Sequence, residues 1–385
     1  MKLPAYKLLS KEQDRVNNLP LDGSYIVAGP PGTGKTVVAL YRTSLLQKER
    51  QQVQLLTYSR VLTNYLGAGV ADLNLAAGAS TYHRWVDNEW KALNRRRTDG
   101  AKQWKVPNTG DWYSYDWNAI LDAVNEFPPE KGGLPYLIID EAQDFPRDFF
   151  KLARFIAKNL TVFADENQTL TDENSTIAEI RSAAAITAET FFLTRNYRNT
   201  RQIARLAGHF HSGLQTGIPE LPTRFGKPIV LQEMTPAQGI DRILRYHALR
   251  PSAEIGVFLP TIAKVKHYVA EFSEKIKKKG AIQYYYRDKK GPQDTLNFEK
   301  PAIRILTYKS AKGLDFDAVF IPELERYAGD ENGGTTRMLF YVLLSRAREE
   351  LFLFFHRKRS GLVSLIEQYM AEDAPINERE QSEVR

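Results

Sequence analysis

Short runs of consecutive apolar residues recur along the chain, and between them lie stretches in which apolar residues fall three or four apart. In the first half the runs are 24–28 (SYIVA), 53–57 (VQLLT), 137–140 and 160–164; the first enters a glycine-rich turn and then VVALYRTSLLQ, which has helical spacing. In the second half they are 255–259, 303–307, 318–321 and 351–355, with helical spacing over 201–210 and 335–346. Unbroken apolar runs, as opposed to alternating ones, predict strands covered on both faces, so the expected class is α/β with parallel sheets. Two such series predict two tandem domains, 1–190 and 191–360, joined near 187–192. Two stretches break the pattern and are expected as short insertions, about 85–133 and about 261–300. A polar tail follows over 361–385, expected to fray beyond Met370. No repeat of fixed period is present.

Composition narrows this only a little. Of 385 residues, 43% are hydrophobic and 26% charged, which suits a globular chain long enough for two or three cores. There is no cysteine, which excludes disulfides, thiolate metal sites and cysteine nucleophiles, and points to a reducing, cytoplasmic setting. No apolar run is long enough to span a bilayer, and the N-terminus does not read as a signal peptide, so no membrane partner is expected. Lys plus Arg outnumber Asp plus Glu by 53 to 46, a net charge of +7. That excess permits a polyanionic partner without requiring one.

Chemistry enters with GPPGTGKT, which fits G-x-x-x-x-G-K-[ST] over Gly29, Pro30, Pro31, Gly32, Thr33, Gly34, Lys35 and Thr36. Glycines let backbone N–H groups turn onto phosphate oxygens, the lysine supplies a cation to the β and γ phosphates, and the threonine hydroxyl is a ligand for Mg²⁺. An apolar run precedes the motif and a helical pattern follows it, which is the context triphosphate binding needs. Downstream, LIIDEAQD brings Asp140 and Glu141 to the carboxyl end of another expected strand, where ligands sit in open α/β sheets. Asp140 is the candidate Mg²⁺ ligand and Glu141 the candidate base for the attacking water. Alone, a strand ending in solvated acids would explain the second box as well.

In sequence order, these boxes and the segments around them resemble superfamily 1 helicases of the UvrD/Rep-like branch, from Gln13 to about residue 355. LSKEQ is similar to the segment whose glutamine, here Gln13, reads adenine. LLTYSRVLTNYL carries Thr57, Tyr58 and Ser59, and STYHRW carries Thr81, Tyr82 and His83, both similar to segments that touch single-stranded DNA. FADENQ holds Asp165 and Gln168, the latter matching a γ-phosphate sensor. In RNYRNT, Tyr197 matches a residue that stacks on adenine and Arg198 one that meets the γ-phosphate. TYKSAKGLDF supplies Thr307 for DNA and Gly313 and Asp315 for nucleotide, and FYVLLSRAREEL supplies Arg346 as an arginine finger. The resemblance implies two tandem RecA-like P-loop NTPase domains with ATP and Mg²⁺ held between them. It also implies a single-stranded or tailed duplex DNA partner and 3′ to 5′ polarity.

The chain departs from that family in several places. Its insertions are short. After Gln168 it reads TLTDENST where the family has an aromatic and arginine run that stacks bases. Val37 stands where many relatives have Arg, Asp315 replaces Glu, and SRA replaces TRA. The tryptophans Trp85, Trp90, Trp104, Trp112 and Trp117, interleaved with Arg95, Arg96, Arg97 and Lys105, have two readings: replacement stacking surfaces, or the small core of an insertion. KIKKK (275–279) and YYYR (284–287) read either as a solvated helix end followed by a strand or as a phosphate-tracking edge. Three functions follow: a DNA translocase or helicase, a regulatory ATPase beside a nuclease or other subunit in DNA repair or anti-phage defence, and a non-catalytic binding module. Intact Lys35, Asp140, Glu141, Gln168, Arg198 and Arg346 speak against the third.

Overall fold

The computed structural model describes residues 3–76, 78–95, 115–129, 133–168, 174–213, 216–276, 280–288, 291–294, 296–327, 333–357 and 361–384. Arg96, Arg97, Trp104, Lys105, Trp112, Lys277, Lys278, Lys279 and most of the stretch after Gln168 lie outside the described residues. Contacts divide the chain into two compact units, one of 1–29 and 34–193, the other of 30–33 and 194–385.

The first unit is built on six strands: β1 (Tyr25–Ala28), β2 (Val53–Thr57), β3 (Ala79–Thr81), β4 (Tyr136–Ile139), β5 (Asn159–Ala164) and β6 (Phe191–Phe192). They pair in the order β3-β2-β4-β5-β1-β6, every pair parallel. All four residues of β1 and of β4 are buried, which is why both read as unbroken apolar runs. Among the described residues, seven helices accompany this sheet: α1 (Lys11–Asn17), α2 (Lys35–Lys48), α3 (Arg60–Asp72), α4 (Tyr82–Asn94), α5 (Trp117–Glu126), α6 (Arg147–Ile156) and α7 (Ile177–Ala184). Trp85 and Trp90 join the apolar core of this unit with Phe145, Phe149 and Phe150. Those two tryptophans therefore serve as core and not as stacking surfaces, because a helix this amphipathic needs large anchors on its inner face.

The second unit has seven strands: β7 (Val230–Glu233), β8 (Ile255–Leu259), β9 (Ile282–Asp288), β10 (Gly291–Asp294), β11 (Ile303–Thr307), β12 (Phe316–Ile321) and β13 (Ala347–Phe355). Their order is β10-β9-β11-β8-β12-β13-β7, parallel throughout except for the antiparallel edge pair of β9 and β10. Among its described residues, five helices complete it: α8 (Arg201–Gly208), α9 (Pro236–Leu249), α10 (Ile262–Lys275), α11 (Gly334–Leu344) and α12 (Gly361–Val384). The parallel α/β class expected from the apolar runs is what both units show, and β2, β8 and β11 coincide with their runs residue for residue.

Two expectations change here. The described residues of 261–300 largely belong to the sheet and its crossover: α10 links β8 to β9, and β9 pairs with β11. Of the two readings of 284–287, the strand is the one the structure shows, half-covered by α10. The tail is also not frayed over its described length. It forms α12, with Leu362, Val363 and Ile366 buried at helical spacing, while Tyr369 stacks on His209 at 4.3 Å and Asp373 Oδ1 lies 3.0 Å from His209 Nε2. Four side chains on one helical face were masked in the sequence by the acidic residues of the other.

Candidate nucleotide and nucleic-acid site

β1 delivers the chain to the phosphate loop, and the Gly29 N–H continues the ladder by donating to Ala164 O at 3.2 Å. The loop then turns through Gly32 (φ +84°) and Gly34 (φ +86°), a region open chiefly to glycine. A Cβ on Gly34 would lie 2.3 Å from Gln13 Nε2, so a side chain there would push the Gln13 amide aside. Thr33 Oγ1 donates to Pro30 O at 2.9 Å, closing the loop on itself. Lys35 opens α2, is buried, donates from Nζ to Gly29 O at 2.5 Å and stands 3.8 Å from Asp165 Oδ2.

Gln13 sits beside this loop because α1 is pinned at both ends. At its start, Ser10 Oγ accepts from Gln13 N and Gln13 Oε1 accepts from Ser10 N, a reciprocal cap. At its end, Arg42 of α2, almost wholly buried, donates to the carbonyl oxygens of Asn17, Leu19 and Pro20. Nothing in the sequence marked Arg42 out; a lone arginine in a helix reads as surface charge.

β4 ends at Ile139 and brings Asp140 under the loop. Thr36 Oγ1 donates to Asp140 Oδ2 at 2.7 Å, while Asp140 Oδ1 is buried with no hydrogen-bond partner. Burial, and then the charge of Glu141, push the Asp140 carboxyl up to about 6. A buried oxygen without a partner, next to a hydroxyl oxygen, is a donor set that fits Mg²⁺. Glu141 follows in the left-handed region (φ +54°), a backbone state costing a non-glycine residue about 1–3 kcal/mol. Its carboxylate accepts from Gln143 Nε2 at 2.6 Å, and Gln143 Oε1 accepts from Asp165 N at 3.0 Å. Gln168 Nε2 donates to Asp165 Oδ2 at 2.5 Å. The candidate base, the sensor and the lysine therefore meet on Asp165 and Gln143, neither of which the sequence had given a role.

The nucleic-acid candidates of this unit divide. Thr57 and Tyr82 are fully buried, which corrects their expected place as DNA contacts: Thr57 is the last residue of a covered strand, and Tyr82 packs against Phe145 at 4.7 Å. Tyr58, Ser59, Thr81 and His83 are half-buried at the carboxyl ends of β2 and β3. Ser59 Oγ caps α3 by accepting from Leu62 N, and Thr81 Oγ1 caps α4 by accepting from Arg84 N.

In the second unit, which includes 30–33, Tyr197 N donates to Gly32 O at 2.8 Å and Tyr197 is 46% exposed. Arg198 Nε lies 3.3 Å from Asp315 Oδ2, and its NH1 is buried without a hydrogen-bond partner. Asn199 Nδ2 donates to Ser345 O and Ala347 O, which flank Arg346. Arg346 itself is buried, donating from Nε to Val342 O and from NH1 to Leu314 O. Gly313 takes φ +76°, and Thr307 Oγ1 is 2.9 Å from Ser310 Oγ. The sequence could have offered Asn199 only as the last letter but one of RNYRNT.

Comparison with known proteins agrees with this geometry. A family model described as an AAA domain matches residues 13–173, and one described as a UvrD-like helicase C-terminal domain matches 302–354. No curated protein matches the chain. Among solved structures, S. cerevisiae Dbp5 bound to RNA and ADP BeF3 is 14% identical, covering 98% of this chain and 94% of that one with a TM-score of 0.52. At that identity the likeness speaks for the fold, a pair of RecA-like domains. The C-terminal domain of a possible DNA helicase from Lactobacillus plantarum is 20% identical over 45% of this chain and 95% of its own, with a TM-score of 0.34. With a phosphate loop and acidic box in a stretch that matches an AAA domain, followed on the same chain by a match to a UvrD-like helicase C-terminal domain, the findings support a UvrD-like helicase, and its domains indicate a nucleotide-hydrolysing enzyme.

Proposed function

We propose that this chain is an ATP-dependent translocase or helicase on single-stranded DNA, of 3′ to 5′ polarity, serving DNA repair or anti-phage defence in the cytoplasm. The observation that carries the catalytic half is Asp140, with one carboxylate oxygen on the Thr36 hydroxyl and the other buried and unpartnered. Thr36 and Asp140 would hold Mg²⁺, which neutralises charge on the β and γ phosphate oxygens when bound. Gly32, Thr33 and Gly34 offer backbone N–H groups to the phosphates, and Lys35 offers its ammonium. Gln13 and Tyr197 recognise adenine. Glu141, oriented by Gln143, takes a proton from the attacking water as the bond to the γ-phosphorus forms and ADP leaves. Gln168 shares Asp165 with Lys35, so a change at the phosphate is felt at the sensor. Arg198 and Arg346 offer charge to the transferring phosphoryl group, and Gly313 and Asp315 shape the loop that steadies Arg198. Tyr58, Ser59, Thr81, His83 and Thr307 form the DNA contacts that this reading retains.

The test is the ATPase rate with and without a single-stranded oligonucleotide. A several-fold stimulation is expected, and equal rates overturn the DNA-driven reading. Strand displacement on duplexes with 3′ or 5′ tails then reads polarity. A second reading, a regulatory ATPase subunit of a nuclease complex without unwinding of its own, is favoured by one observation: the described residues of 261–300 are spent on the sheet and its crossover helix, with no separate wedge among them. Unwinding by the purified chain alone would exclude it.

A further inference from the structure

Three half-buried or buried rings at the carboxyl ends of β2 and β3 begin a row that continues beyond the family-like segments. Tyr58 and His83 lie over the buried Tyr82, at 5.9 and 3.8 Å between ring centroids. Tyr115, from the stretch expected as an insertion, follows at 5.9 Å from His83, and Trp117 at 5.2 Å from Tyr115. The Tyr115 hydroxyl lies 3.2 Å from His83 Nδ1 and donates to His83 O at 3.4 Å, so it pins both the ring and the backbone of that residue. Trp117, unlike Trp85 and Trp90, is not fully covered: it opens α5 half-buried, with its N-cap Asp116 exposed beside it. Arg60 and Arg84 are exposed on the first turns of α3 and α4, next to the capping hydroxyls of Ser59 and Thr81. Aromatic faces bordered by cations at two helix N-termini match the two parts of a single strand, its bases and its phosphates. The same chain lacks the aromatic run after Gln168.

We infer that Trp117 is a base-stacking residue of this unit, and that Tyr115 is a positioning residue that holds His83 toward the same strand. The inference rests on the proposed single-stranded DNA reading and adds to it a platform drawn from the short insertion. Stacking on a ring is tolerant of sequence, so the platform grips any base and takes part in no phosphate contact.

The experiment is fluorescence anisotropy of labelled oligo(dT) and oligo(U) with the full chain and with W117F, W117L, Y115F, H83A and the double variant Y115F/H83A. W117L keeps apolar bulk without an aromatic face and should weaken binding of both strands about tenfold, while W117F stays within about twofold. The salt dependence of binding should be unchanged in W117L, because no phosphate contact is lost. Y115F should weaken binding by less than H83A and add nothing to it in the double variant, as expected of a residue that acts through His83. Basal ATPase without nucleic acid should stay at the wild-type rate in W117F, W117L and Y115F. Wild-type binding by W117L overturns the stacking role, and an additive double variant overturns the positioning role. If the wild-type chain binds neither strand, the DNA reading itself fails, which is a separate result.

Discussion

The Thr36 hydroxyl donates to Asp140 Oδ2 across 2.7 Å, joining two residues 104 positions apart and leaving the other carboxylate oxygen buried and unpartnered. The carboxyl is raised to about 6 against an ordinary value near 3.8. A raised acid binds its proton more tightly in the folded state. The stabilisation is therefore complete below about pH 4 and is lost as pH rises through about 6, by about 3 kcal/mol at most. Urea unfolding of the metal-free protein should show this loss between pH 4 and pH 7, Mg²⁺ should offset it at pH 7, and Asp140→Asn should flatten it. An unchanged slope in the variant would show that Asp140 is not its source.

Glu141→Gln should retain ATP binding and lower kcat by roughly 10²–10⁴-fold, the range for loss of a general base. Gln143→Ala should lower kcat about tenfold with little change in KM, because it misplaces the base without touching the phosphates. Steady-state kinetics separate the two parameters, and full turnover by Glu141→Gln would remove it from the mechanism.

Arg198→Ala should lower kcat by roughly 10³-fold, as for other cations that meet the transferring phosphoryl group. Asp315→Asn removes the charge beside Arg198 Nε and keeps the shape, so its effect should be smaller, about tenfold, and confined to kcat. Equal losses in both variants would mean that Asp315 has a role of its own at the nucleotide.

Asn199→Ala strips partners from the carbonyls of Ser345 and Ala347, both in buried residues. Each such group costs about 1–3 kcal/mol. The melting temperature should fall, and kcat with it, since those carbonyls flank Arg346. Calorimetry that found no change would place the stabilisation elsewhere.

Removing α12 from residue 361 onward would expose the surface against which Leu362, Val363 and Ile366 pack. Burial of such side chains is worth about 1.5–3 kcal/mol each, so the truncated chain should melt lower and aggregate more readily. A truncated chain as stable as the full one would make the helix dispensable.

Sequence alone was enough for what depends on unbroken local pattern. Strands covered on both faces leave apolar runs, and β2, β8 and β11 could be read to the residue; a phosphate loop needs its glycines, lysine and threonine contiguous, so it could be read too. Strands that were short or lay at an edge escaped notice, β3, β6, β7 and β10, while β9 stood only as one of two readings of YYYR because its polar residues leave no apolar run. The tail escaped because its apolar face is narrow. Burial corrected Thr57 and Tyr82, since a motif records residue type and not the depth at which the fold sets it.

What the sequence by itself determined was the class of chemistry and of fold, because both are written in neighbours along the chain. Only the tertiary structure decided which distant groups act together: Asp140 beneath Thr36, Gln143 between Glu141 and Asp165, Arg42 holding the end of α1, Asn199 astride Arg346, Tyr115 against His83. The reason is physical. A hydrogen bond is set by distances near 3 Å and by burial, and parallel strand order brings together chain ends that sequence spacing keeps far apart.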